Sequence, residues 1–77
     1  MNPHISELHI KIGMKLDYYA HFEYNDVQLE SLKAHLGITK GGWKALLAGK
    51  REITLSELLK LSNWFNTSLN NIVAANF

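Results

Sequence analysis

The chain has no cysteine, a single proline at position 3, and no acidic residue anywhere between Leu32 and Arg51. Without cysteine there is neither a disulfide framework nor a cysteine-ligated zinc site to support the fold. That suits a cytoplasmic protein. No uninterrupted apolar run approaches the roughly 18 residues of a membrane span, and the start lacks a signal-peptide pattern. The expectation is a soluble protein with no membrane partner. His4, His9, His21 and His35 lack ligand-like spacing, so no metal site is expected. No nucleophile–base pair or pair of carboxylates stands out. Gly41-Gly42-Trp43-Lys44 falls short of a phosphate-binding loop and follows no strand. These absences argue against an enzyme, a cofactor and a small-molecule ligand.

What is present is enough for one small domain. In 77 residues the hydrophobic share is 47% and the aromatic share 10%, which supports a packed core rather than disorder. The net charge of +1 says little, but its distribution says more. Lys33, Lys40, Lys44, Lys50 and Arg51 fall in the acid-free stretch. Before it, Glu7, Asp17, Glu23, Asp26 and Glu30 outnumber Lys11 and Lys15. A local positive stripe on a near-neutral chain is the pattern of a phosphate-contacting edge, and equally of a solvated basic face.

Leu32 to Leu47 organises the rest. Leu32 and Leu36 are i,i+4 partners on one helix face, and Trp43, Leu46 and Leu47 repeat helical spacing after them. Between the two segments, Gly37 stands where a helix would end in positive φ, and Thr39 stands where the next would be capped. A helix, a glycine turn and a second capped helix make a helix-turn-helix. The bland alternative is an ordinary corner in a helical bundle. The joint occurrence of glycine, cap, apolar spacing and positive stripe favours DNA binding.

On either side, caps mark further helices. Asn2-Pro3 reads as a cap and first helical position, and Asn25-Asp26 as the turn and cap of a helix over Val27–Leu36. Thr54 and Glu57 form a capping box before Leu55, Leu58, Leu59, Leu61 and Phe65. Ser68 caps a last short helix carrying Leu69, Ile72 and Val73. Tyr18, Tyr19, Phe22 and Tyr24 form an aromatic cluster expected in the core. Residues 5 to 16 read two ways. Ile5, Leu8, Ile12, Leu16 and Tyr19 make a helical stripe, while Leu8 to Leu16 also alternates apolar and polar like a strand. A helix leaves Ile10 and Met14 opposite the main stripe and carries about 1 kcal/mol of cost at Gly13. A strand would need a partner from a second molecule. Helix is favoured, and either way Ile10 and Met14 offer surplus apolar surface for a dimer or partner contact.

The sequence from Leu32 to Val73 resembles the helix-turn-helix domain of phage Cro proteins, phage repressors and Xre-type regulators. The resemblance is carried by Leu32-x3-Leu36-Gly37-Ile38-Thr39, Trp43, Gly49-Lys50-Arg51, Thr54-Leu55, Leu58, Leu59, Leu61, Phe65-Asn66-Thr67-Ser68-Leu69 and Ile72. It implies an all-α, five-helix repressor-like domain with the third helix, about residues 39–47, in the major groove. It further implies base-reading positions at Thr39, Lys40, Gly41, Lys44 and Ala45, and phosphate contacts at Gln28, Lys33, Lys50 and Arg51. Lys33 stands where family members usually have a small residue, Leu29 where they have glutamine, and Leu47 where they have glutamate. Gly41-Gly42 within the third helix is unusual, at about 2 kcal/mol of helix propensity.

The expected organisation is an N-terminal extension over residues 1–13 and the DNA-binding domain over 14–77. The expected function is sequence-specific double-stranded DNA binding, as a homodimeric Cro- or repressor-like transcriptional regulator. The alternative is a protein-interaction module, antitoxin-like or a phage regulatory partner, with weak non-specific DNA binding and a protein partner at the apolar N-terminal face.

Overall fold

The computed structural model describes residues 6–77. The cap expected at Asn2-Pro3, and the expected roles of His4 and Ile5, lie outside the described residues. Five α-helices follow in order: α1 Glu7–Tyr18, α2 Asp26–Leu36, α3 Lys40–Leu47, α4 Leu55–Phe65 and α5 Leu69–Val73. The all-α, five-helix expectation holds. Leu8 to Leu16, which alternates like a strand, is helix throughout.

The alternation has a simple cause. Ile12 and Leu16 are fully buried, while Ile10 and Met14 face outward, 37% and 64% exposed. Both faces of α1 are apolar, so helical residues happen to satisfy a period of two. Gly13, counted against a helix, is what lets α1 seat. A Cβ there would collide with the carbonyl oxygen of Leu46 in α3 and stand 3.3 Å from its carbon. The expected division after residue 13 therefore falls inside α1, beside the fully buried Ile12.

After Tyr18 the chain widens into a π-type turn over Tyr19–Glu23, closed by the Tyr24 N–H donating to the Tyr19 carbonyl at 2.8 Å. The turn divides the aromatic cluster, and the core expectation is corrected for two of its members. Tyr19 packs on Phe65 and stacks on Phe77, with centroids at 5.0 and 6.1 Å, and Tyr24 accepts a 2.8 Å bond from the Trp64 indole. Tyr18 and Phe22 point outward, because they continue the i,i+4 line of Ile10 and Met14 rather than the line of Ile12 and Leu16.

The four later helices begin as their caps dictate. Asn25 and Gln28 form a reciprocal box for α2, starting it one residue before the expected Val27. Thr39 accepts from the Gly42 N–H, Thr54 and Glu57 form the second box, and Ser68 accepts from the Asn71 N–H. α1 packs on α3 and α5, α2 on α4, and α4 on α5. Their shared core is Ile12, Leu16, Leu32, Leu36, Trp43, Leu46, Ile53, Leu58, Leu61 and Ile72. A fully buried side chain of this kind contributes about 1.5–3 kcal/mol. Polar bonds tie the layers at two further points. His9 Nδ1 accepts the Ile53 N–H at 3.0 Å, and His35 Nε2 donates to the Lys60 carbonyl at 3.1 Å. No helix among the described residues is long and apolar enough to cross a membrane.

Candidate nucleic-acid interface

The site begins with how α2 ends. Gly37 adopts φ +67°, its N–H donates to the Ala34 carbonyl at 3.1 Å, and the next N–H, of Ile38, reaches Lys33 at 3.3 Å. This left-handed cap reverses the chain within three residues, and a side chain at position 37 would be strained. Thr39 then starts α3, its hydroxyl taking the Gly42 N–H at 3.0 Å.

α3 has a sharply divided surface. Trp43 and Leu46 are buried, 5% and 0% exposed, and Leu46 lies against the side-chain-free Gly13. The helix is thereby fixed in both rotation and depth. Its outer surface carries Thr39, Lys40, Gly41 and Lys44, all exposed, with Ala45 half-buried at the edge. Lys40 and Lys44 are one helical turn apart on this outer side. Lys50 follows, also exposed, after Gly49 has turned the chain with φ +72°. Among the described residues Lys40, Lys44 and Lys50 have no carboxylate within ion-pair distance. Lys40 and Lys44 on α3, with Lys50 in the loop after it, thus present uncompensated positive charge.

The two glycines of α3 have different surroundings. A Cβ at Gly41 would meet nothing within 4 Å. One at Gly42 would press on the Thr39 hydroxyl at 3.1 Å and on Ile38 at 3.2 Å, and would lie in ordinary contact with Arg51 Nε at 3.5 Å. Gly42 makes room for the Thr39 cap and for Ile38. Gly41 leaves a bare stretch of backbone facing outward.

The remaining phosphate candidates sit differently from the three lysines. Lys33 is largely covered and pairs with Glu30 at 2.6 Å. Gln28 commits its side-chain oxygen to the Asn25 N–H at 2.9 Å, leaving its amide NH2 group without a partner among the described residues. Arg51 turns toward the protein. Its Nη1 donates to Glu57 at 3.0 Å and to the Glu52 carbonyl at 2.6 Å, and its Nη2 to the other Glu57 oxygen at 2.6 Å. The bidentate pair also includes Thr54, whose N–H donates to Glu57 at 3.0 Å. Burial pushes the Glu57 carboxyl up, but the bonds from Arg51 and Thr54 outweigh it and hold the group below its ordinary value. The bond to Glu57 in turn holds Arg51 above its ordinary value. Arg51 thus acts as a brace between the end of α3 and the start of α4. Position six before a capping-box glutamate was the only sequence signal of it.

Among the described residues no group of three histidine or acidic side chains could hold a metal ion. His9, His21 and His35 instead bond to backbone at Ile53, Asp17 and Lys60. No family model, no curated protein and no solved structure matches this chain.

Proposed function

We propose that this chain binds double-stranded DNA in a sequence-dependent way, as a homodimeric transcriptional regulator of the Cro or repressor kind. The observation that carries the reading is the outer side of α3. It pairs exposed Lys40 and Lys44, without an ion-pair partner among the described residues, with a helix whose inner side is fixed by Trp43, Leu46 and Gly13. A rigid helix that presents donors is the element that enters a major groove, where lysine donates to guanine O6 or N7. In this reading Thr39, Lys40, Lys44 and Ala45 face base edges, and Gly41 permits close approach. Lys50 and the Gln28 amide meet phosphate. Lys33 is taken up by its pair with Glu30, and Arg51 holds the loop that presents Lys50.

One domain offers few base contacts, so affinity rests on two half-sites about one helical turn apart. The test is selection of bound duplexes from a random library at two salt concentrations. An enriched, near-palindromic motif supports the reading. Binding without enrichment that vanishes at higher salt overturns it. The exposed apolar residues of α1 favour a second reading, a protein-interaction module with weak non-specific DNA binding, and that is the result such an outcome would leave standing.

A further inference from the structure

Ile10, Met14, Tyr18 and Phe22 form a single exposed line, 37%, 64%, 45% and 75% exposed, each four residues after the last. On an unbroken α-helix a four-residue spacing drifts by about 40° per step, which would set Ile10 and Phe22 about 120° apart. The π-type turn at Tyr19–Glu23 takes up part of that drift. It keeps the Phe22 ring beside Tyr18, with centroids at 5.4 Å. Wide turns of this kind are uncommon and often mark functional surfaces. Exposed apolar side chains arranged contiguously on one helix imply a covering partner.

We propose that this face is the contact between two copies of the chain, with α1 and its π-turn packed antiparallel about a two-fold axis beside residue 16. The inference deepens the dimeric part of the reading above and rests on it. In this register Ile10 opposes the partner's Phe22 and Met14 opposes the partner's Tyr18, and both pairs occur twice, as a self-complementary interface requires. The charges agree. Lys11 and Glu23 lie one residue beyond Ile10 and Phe22, on the same flank of the line. Antiparallel packing brings each Lys11 to within two positions, about 3 Å along the axis, of the partner's Glu23 on the same flank, within reach of a lysine side chain. Among the described residues Lys11 is held only by an exposed pair with Glu7 at 3.1 Å, and Glu23 by the Tyr18 hydroxyl at 3.2 Å, so both can exchange partners. Glu7, Asp17 and Glu23 interspersed with Lys11 and Lys15 also disfavour an anionic lipid surface as the occupant. A groove of about 400 Å³ beside Met14 and Tyr18, bounded by Ala75, gives the opposing side chains a recess.

The experiment is sedimentation of the whole chain without DNA, so that loss of DNA binding and loss of the dimer are read separately. The natural chain is expected to be a dimer, and Met14→Glu a monomer with unchanged helical circular dichroism. Lys11→Glu and Glu23→Lys each turn two attractions into repulsions and should weaken the dimer about tenfold, while the double variant returns to within about threefold of the natural chain. A monomer at all concentrations up to about 100 μM overturns the proposal, whether or not it binds vesicles or another protein. So does a dimer that Met14→Glu leaves intact, or a double variant no tighter than the single ones.

Discussion

Gly13 of α1 and Leu46 of α3 meet with no room for a side chain between them, and that crossing sets the depth of the candidate recognition helix. Gly13→Ala improves helix propensity by about 1 kcal/mol yet drives a methyl group into a backbone carbonyl. A backbone cannot change rotamer, so overpacking wins. The variant is expected to lose about 2 kcal/mol or more, read by urea denaturation, and a variant as stable as the natural chain would remove the close crossing.

Lys44→Ala is expected to weaken binding to the selected DNA site by about 1–3 kcal/mol with the thermal midpoint unchanged. Lys50→Ala should instead weaken binding to all sequences alike and lower the salt slope by about 1. Fluorescence anisotropy on selected and scrambled duplexes at several salt concentrations separates the two. Equal effects of Lys44→Ala on both duplexes would move that residue from base reading to phosphate.

Gly41→Ala fills open space on the exposed side of α3, so the helix should gain up to about 1 kcal/mol. If bare backbone approaches DNA there, the same methyl group weakens binding. The expected result is a more stable protein with lower affinity. A gain in both would show that Gly41 is not at the contact.

The Arg51–Glu57 brace gives a pH dependence of definite sign. Glu57 is held below its ordinary value in the folded chain, so its contribution is complete above the unfolded glutamate range, about pH 4–5. It is lost as pH falls through the lower folded value. Denaturation midpoints should therefore drop more steeply on acidification for the natural chain than for Glu57→Gln. Arg51→Ala should lower stability by about 2 kcal/mol at neutral pH, because it leaves a nearly buried carboxylate unpaired. Parallel acid limbs in the natural chain and Glu57→Gln would show that the pair does not titrate with folding.

Much of the fold was legible because its signals are local. Gly37, Thr39, the Thr54–Glu57 box and Ser68 each act on backbone groups within three residues, and each stands where spacing alone placed it. The exposed Lys40 and Lys44 followed from the positions of Trp43 and Leu46 on the same helix. Features that depend on distant partners were not legible. Gly13 read as a flaw because Leu46 lies 33 residues away, and the pairing of Arg51 with Glu57 needs the loop to fold back on α4. The outward turn of Tyr18 and Phe22 does carry a local signal, the four-residue spacing from Ile10 and Met14, which treating the four aromatic residues as one cluster obscures.

The four side-chain caps have a kinetic consequence. Asn25, Thr39, Thr54 and Ser68 each fix the first residue of their helix without help from the rest of the chain. The search for the native topology is thus left mainly to docking preset segments, a regime in which small helical domains fold within about microseconds to milliseconds. That docking includes the return of α1 to α3, with the Ile53 N–H of the loop after α3 meeting His9 across 44 positions of sequence. Because α3 packs chiefly on α1, the surface that α3 presents becomes rigid only once α1 has docked.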